Sequence, residues 1–522
     1  MPHANSESTL PTLRDAIDGS SRTPALRCTI VFHPDIDRIG QSTLLDCVDD
    51  QCVLGRHGPV FAGSALRSDA PLDDPYISRR AILLQPVAGG LRLIRPESAS
   101  RCRVAGREVQ GEVLLDEAAL DAGVPLMLSH SVVLMLRRSV VAGSEADVAD
   151  YGMLGGSPAM RQLREQIQRA ARSDLDVLVR GETGAGKELV AQAIHADSER
   201  SANPMISVNM AAIPASLAAA FLFGSTRGAF TGADKARAGY FQQAERGTLF
   251  LDEIGDAPEE VQPLLLRALQ QREIQVLGGV TRKIDVRVIS ATDALLESED
   301  CSFKSALRYR LGALEIRVPS LREHPEDIGE LLLHALRRFS AAEGREHWLE
   351  RSMTRDQYLA RWAQLFCEFA CYHWPGNVRQ LDNFAAQVVL ASRDAPVLPD
   401  AVRAQIQTAG SATDINDNCE VAQQPAPRWR KLADVSEAEF EVAMREARYE
   451  VAAVATALGV SRQSLYRRIG NSTTFRSVSD VPLEEIKAAL DASGQDVREA
   501  AMTMQISESG LRQRLRAVRA SA

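Results

Sequence analysis

The chain lacks several features that would narrow its class at once. None of its 522 residues falls in an apolar run of about 18 or more, the length a helix needs to cross a bilayer. The N-terminal stretch MPHANSESTLPTLRDAIDG holds no apolar core of the secretory-signal kind. A cytoplasmic protein with no membrane partner is therefore expected. Eight cysteines include no Cys-x-x-Cys pair. The nearest approach to a site is Cys367, Cys371 and His373, where cysteines at i and i+4 share a helical face; buried thiols are the commoner use of such a pair. Positive charge is not in excess either, since 60 Lys and Arg stand against 69 Asp and Glu for a net charge of -9. A surface coated with nucleic acid is excluded, and any DNA contact must be local.

What is present divides into segments. Apolar content of 45% and charged content of 25% are ordinary for a globular chain, and the length predicts three or four domains of roughly 100–200 residues. Residues 1–22 have little to bury and read as a disordered tail. From 23 to 141 short β-type runs (CTIVF, AILLQPV, LRLIR, VVLMLRR) recur between turn residues, the pattern of an all-β sandwich. A polar connector, 142–152, leads into alternating strand and helix signals over 153–319, which predict a parallel α/β sheet, followed by a helical part over 320–397. Residues 398–430 read as a linker. The rest, 431–522, reads as helices only.

That last part repeats itself. A shift of 46 residues lays 434–469 on 480–515 without a gap, and Asp434, Val435, Glu439, Ala443, Val451, Ala455, Ser461, Leu465 and Arg468 each meet an identical residue. Two copies of one helical unit are expected, 431–470 and 471–522. In the first, VATALGVSRQSLYRRIG reads as helix, turn at Gly459 and second helix capped by Ser461. Arg462, Gln463, Ser464, Tyr466, Arg467 and Arg468 crowd that helix with groups suited to base edges and phosphates. The second copy offers Ser507 at the cap, then Arg512, Arg514, Arg516 and Arg519. Arginines at this spacing also occur on plain solvated helices.

Two stretches carry nucleotide chemistry. VLVRGETGAGKELVAQAIH sets an apolar strand before Gly181, Glu182, Thr183, Gly184, Ala185, Gly186 and Lys187, and a helix after them. This is a phosphate-binding loop: glycines let backbone N–H groups turn inward, the helix N-terminus adds a positive dipole, and Lys187 reaches the terminal phosphates. Glu188 stands where Ser or Thr usually meets Mg²⁺, so the ion must rest on phosphate, water and another carboxylate. GTLFLDEIG supplies one, with Asp252 at a strand end for Mg²⁺ and Glu253 to polarise the attacking water. ATP and Mg²⁺ are the expected cofactors.

In order and approximate spacing, GETGAGKELVAQAIH, PMISVNMAAIP, FLFGSTRGAFTGA, GTLFLDEIG, DVRVISATD, RYRL and WPGNVRQLDN resemble the AAA+ module of bacterial enhancer-binding proteins. Those are the ATPases that activate sigma-54 RNA polymerase; the likeness covers about 240 residues, and GAFTGA is close to diagnostic of the group. The resemblance implies that Asn209 restrains Glu253, that Thr292 senses the γ-phosphate, with Asp293 in place of the family's following Asn, and that Arg379 in the helical lid contacts nucleotide. It implies that Arg310 acts across a subunit interface in a ring, usually a hexamer, with Lys304 in place of a second arginine. It also makes the Gly228, Ala229, Phe230, Thr231, Gly232 and Ala233 loop the element that presses on sigma-54. The C-terminal units resemble the Fis-type helix-turn-helix that tethers such proteins to upstream enhancer DNA.

VLGRHGPVF and DDPYISRRAILL resemble a forkhead-associated (FHA) domain, which implies a phosphothreonine partner held by Arg56, Ser78 and Arg79. The family's histidine falls on Ala81, and only Gly106 remains of its asparagine-glycine loop. The alternatives to a sigma-54 activator are an AAA+ protein-remodelling ATPase outside transcription and a weakly hydrolysing DNA-bound scaffold.

Overall fold

The computed structural model describes residues 24–45, 51–63, 68–140, 149–229, 235–294 and 303–410, then 437–447, 481–493, 497–504 and a few isolated positions beyond 448. It divides into two units, 1–414 and 415–522.

The first unit opens with two antiparallel sheets. One holds β1 (Pro24–Phe32), β2 (Ser42–Leu45), β6 (Cys102–Val104), β7 (Arg107–Glu108), β9 (Val124–Leu128) and β10 (Val132–Val140), in the order β2-β1-β10-β9-β6-β7. The other runs β3 (Cys52–Leu54), β4 (Ile82–Val87), β5 (Gly90–Ile94), β8 (Glu112–Asp116). Cys28, Ile30, Leu134 and Leu136 from the first meet Leu54, Leu84, Leu93 and Leu115 from the second in one apolar core. The region expected to be a sandwich is one.

Its outer face is not a solvent face. Alternation sends Val31, Val133 and Met135 away from the sandwich core, and an irregularity in β1 between Ile30 and Phe32 turns Phe32 the same way, yet all four are at most 1% exposed. They enter a second core with Leu332, Leu336, Trp362, Phe366 and Phe369 of the helical part. The Phe32 and Phe366 rings lie 4.8 Å apart. Antiparallel sheets with one solvated face alternate apolar and polar residues; VVLML in β10 does not alternate because both of its faces are covered. Gly329 permits a close backbone approach, since a Cβ there would lie 2.4 Å from the Val31 carbonyl oxygen. Polar contacts rim the seam: Arg137 Nη1 donates to both oxygens of buried Glu326 at 2.9 and 3.1 Å, and Arg103 Nη1 donates to Gln364 Oε1 at 2.7 Å.

Glu330 sits in this seam, facing Gly40 of the sandwich and taking a backbone hydrogen bond from Gly155. Burial, then the neighbouring Asp327, pushes its carboxyl from 4.5 to about 7. The folded state therefore holds this proton more tightly than the unfolded chain. The resulting stabilisation is complete below the unfolded value and is lost as pH rises through about 7. Glu330→Gln should match the parent in urea denaturation at pH 4 and exceed it at pH 8, by up to about 3 kcal/mol.

The α/β body is a parallel five-stranded sheet ordered β12-β13-β16-β11-β17, from β11 (Val177–Arg180), β12 (Met205–Asn209), β13 (Thr248–Asp252), β16 (Arg287–Thr292) and β17 (Leu314–Arg317). Helices Pro158–Ala171 and Lys187–Ala196 cover one face, and Ala215–Phe223, Gln262–Gln271 and Ser305–Leu311 the other. A small hairpin, β14 (Glu273–Gln275) with β15 (Thr281–Lys283), stands apart. Helices Ile328–Ala342, Glu346–Met353, Asp356–Ala370 and Asn377–Ala391 make the lid. A further helix, Asp400–Gly410, lies inside the stretch read as linker. Val402 and Ile406, one turn apart, pack into the lid core, which is what orders it. Cys367 is buried and hydrogen-bonded to Cys371, and no metal-binding group of three or more ligands occurs among the described residues.

In the second unit, Phe440, Met444, Val454, Leu458 and Leu465 form one small core, and Ile486, Ala500, Met504 and Leu511 belong to another. Four pairs, Phe440 with Ile486, Val454 with Ala500, Leu458 with Met504 and Leu465 with Leu511, are 46 residues apart, so the repeat detected in the sequence buries equivalent positions twice. No helix among the described residues is long and apolar enough to cross a membrane.

Candidate nucleotide site and partner loop

The phosphate loop follows from local chain chemistry. β11 delivers the chain to Gly181, whose N–H donates to the Thr292 carbonyl at 3.2 Å, and the next helix begins at Lys187. Gly184 and Gly186 sit at φ 77° and 103°, a region side-chain-bearing residues rarely adopt. At Gly184 a Cβ would also lie 2.6 Å from the Gly376 carbonyl oxygen, so the lid closes directly on the loop. Lys187 is buried, donates to Gly181 O at 2.9 Å and lies 3.5 Å from Glu253 Oε1. Glu188 points outward, accepting from Gln192 Nε2 at 3.3 Å.

β13 ends at Asp252, and Glu253 turns out of the sheet at φ 49°. Burial raises the Glu253 carboxyl above its usual range against the opposing pull of Lys187, with Asp293 and Asp252 adding to the rise. In the parallel register Asn209 lies opposite Asp252, and its Nδ2 donates to Asp252 Oδ2 at 3.3 Å. The resemblance implies that Asn209 restrains Glu253; in this structure its side chain bonds the neighbouring Asp252. Thr292 is buried with its hydroxyl accepting from Ala294 N at 3.0 Å, and Asp293 Oδ2 accepts from Thr183 Oγ1 at 2.6 Å.

Two residues at the site were not anticipated. Asn377, wholly buried at φ 51°, donates from Nδ2 to Glu182 Oε2 at 3.1 Å and to Thr183 O at 3.2 Å, and accepts from Leu321 N at 2.8 Å. Arg322 grips the Glu182 carboxylate through both terminal nitrogens and holds it below its usual range. Asn377 lies inside WPGNVRQL, so a signal existed; Arg322, the other residue holding Glu182, carried none. The Arg379 backbone N–H donates to Gly184 O at 3.4 Å, with its side chain exposed beside the loop. The oxygen donors of Asp252 and Glu253 beside this cradle suit a hard divalent cation that keeps phosphate and water ligands.

Away from this cradle the chain narrows to a neck. Ser225 and Arg237 pair through both backbone bonds at 2.9 and 3.0 Å, and Thr226 N donates to Leu277 O of the adjoining hairpin at 2.9 Å. Gly224 and Gly239 make the crossing possible, since a Cβ on Gly239 would lie 2.3 Å from Gly224 N. Gly228 and Ala229 leave this neck, and Phe230, Thr231, Gly232 and Ala233 lie outside the described residues.

Residues 153–317 match the Sigma-54 interaction domain and 322–418 the AAA+ ATPase lid domain. The transcriptional regulatory protein ZraR of Salmonella typhimurium is 38% identical over 327 residues, which cover 62% of this chain and 69% of that protein. NtrC of a Bradyrhizobium strain is 43% identical over 251 residues, 47% of this chain and 50% of the relative. The chain belongs to the sigma-54-dependent transcriptional regulators. Among solved structures, ADP-bound NtrX from Brucella abortus is similar at 29% identity, covering 62% of this chain and 70% of that one with a TM-score of 0.42. The two domain matches and the relatives make this sigma-54-dependent regulator an AAA+ ATPase that activates transcription, and they favour that over a remodelling ATPase outside transcription.

The regulator's remaining predicted residues are placed unevenly. Arg310 donates from Nε and Nη2 to Leu269 O of its own chain at 3.1 and 2.8 Å. Lys304 is exposed, and its backbone N–H donates to Gln262 Oε1 at 2.8 Å. In the sandwich, Arg56 is committed to the carbonyls of Ile77, at 3.0 Å, and Pro75, while Ser78 Oγ accepts from Ser100 N at 2.8 Å. Arg79 is exposed. Of the DNA-reading candidates, Ser507 and Arg514 are described; Ser461, Arg462, Gln463, Ser464, Tyr466, Arg467, Arg468 and Arg512 lie outside the described residues.

Proposed function

We propose that this regulator, tethered to upstream enhancer DNA, assembles as a hexameric ring and uses ATP hydrolysis to press Phe230 and Thr231 against sigma-54 in the closed promoter complex. The observation that carries this reading is the pinched neck at Ser225 and Arg237, which ties the base of the partner loop to the same body that holds Lys187 and Glu253. Glu253 polarises the attacking water, aided by a carboxyl whose proton affinity burial has raised. Asp252 would hold Mg²⁺, which when bound neutralises developing phosphate charge. Asn209, hydrogen-bonded to Asp252, orients that carboxylate rather than Glu253. Thr292 and Arg379 flank the last phosphate from the sheet and the lid.

Arg310 serves the neighbouring subunit by exchanging the Leu269 carbonyl for a phosphate, and Lys304 adds charge without arginine's planar fork. Thr231→Ala should abolish sigma-54-dependent open-complex formation in vitro while ATP turnover is retained; retained open-complex formation would refute the loop's role. The twin cores of the second unit support a tandem helix-turn-helix in which one chain spans two half-sites about one helical turn apart. Footprinting at concentrations where the chain is monomeric tests this, because protection of a single half-site excludes it. Arg56, Ser78 and Arg79 fit a phosphothreonine site of the FHA kind, in which phosphate replaces the Pro75 and Ile77 carbonyls as the partner of Arg56; a phosphothreonine peptide bound equally well by Arg56→Ala would contradict it.

A further inference from the structure

We propose that Asp293 is a specificity residue that biases the nucleotide site against ATP relative to ADP, by adding a carboxylate on the side where the last phosphate must sit. The inference rests on the nucleotide-site reading above. Asp293 stands just beyond β16, one residue past Thr292, and its Oδ2 accepts from Thr183 Oγ1 of the phosphate loop at 2.6 Å. It is close enough to act electrostatically on Glu253, as Asp252 does. Asp252 and Asp293 thus both act on Glu253, and Glu253 lies 3.5 Å from the buried Lys187.

ADP ends at the β-phosphate, within the backbone N–H cradle and the helix dipole that every nucleotide enjoys. ATP adds charge beyond it, toward Glu253 and Asp293, and carries the repulsion alone. An asparagine at 293 would keep the shape and still accept from Thr183, but remove the charge. Because Asp293 is exposed, water screens it, and one unit charge several ångströms away in such a site corresponds to about a fivefold change in affinity. The same exposure makes the effect sensitive to salt.

The experiment titrates full-length protein with ATPγS and with ADP, each with Mg²⁺, at low and high ionic strength. Asp293→Asn should tighten ATPγS about fivefold at low salt and leave ADP unchanged, with the gain shrinking as salt is added. Thr183→Val removes the hydrogen bond but keeps the charge, and should leave the ratio of the two affinities as in the parent. A gain equal for both nucleotides, a gain indifferent to salt, or a Thr183→Val variant that reproduces it would overturn the proposal. Failure of the underlying site reading shows itself differently, as Lys187→Ala binding both nucleotides as well as the parent, and would overturn the proposal too.

Discussion

Replacing Glu253 by Gln lowers ATP turnover by about 10² to 10⁴, the usual contribution of a positioned general base, while nucleotide binding survives. The contrast between the two readouts follows from geometry. Lys187 and the loop glycines form the cradle; Lys187 also faces Glu253, but its bond to Gly181 O and the glycines' backbone conformation do not depend on the Glu253 proton. Glu253 stands at a left-handed backbone position at the end of β13, 3.5 Å from Lys187, where it reaches the last phosphate's surroundings rather than the cradle itself. Removing the carboxylate also relieves the repulsion that Asp252 and Asp293 exert there, so ATP binding should hold or tighten. A steady-state assay beside an equilibrium titration checks both halves; unchanged turnover would remove Glu253 from the chemistry.

Phe366→Ala destabilises sandwich and lid together, by about 3 to 5 kcal/mol, the cost of deleting a buried aromatic from a packed core. Phe366 is fully buried against Phe32 of β1, and their cluster runs from Met127 and Met135 in the sheet to Trp362 and Phe369 in the lid. Hydrogen exchange should quicken in β1 and β10 as well as in the helix Asp356–Ala370, because a shared core opens as one cooperative unit. Faster exchange confined to the lid would mean that the sandwich is merely tethered. A welded sandwich has a functional consequence, since any ligand that shifts it also shifts the lid whose Asn377 and Arg379 meet the phosphate loop.

How much of this was legible varies with the range of the interaction. The nucleotide cradle was readable because its function is encoded within one turn of chain: Gly184 and Gly186 announce left-handed backbone, and Lys187 follows at fixed spacing. Asp252 and Glu253 were readable for the same reason, as an acidic pair ending an apolar strand. The partners of these groups were not. Asn209 reaches Asp252 because β12 and β13 pair in that register, and Arg322 reaches Glu182, 140 positions earlier, because the lid folds back on the phosphate loop. The helix Asp400–Gly410 escaped notice because two docking residues, Val402 and Ile406, are enough to order it only when a lid core is there to receive them.

The sandwich shows the same division. Its strands were visible as short β-type runs, and the unbroken VVLML of β10 already hinted at a second covered face, yet nothing local said what covers it. By itself the sequence determined the phosphate cradle, the acidic pair and the duplicated C-terminal unit, because each is a short-range pattern imposed by backbone freedom or helical period. Only tertiary structure decided which carboxylate Asn209 holds, that Arg310 rests on the Leu269 carbonyl, and that the sandwich and lid share a core. Those outcomes depend on strand register and on apolar faces meeting across long loops, where contact is fixed by burial and not by spacing.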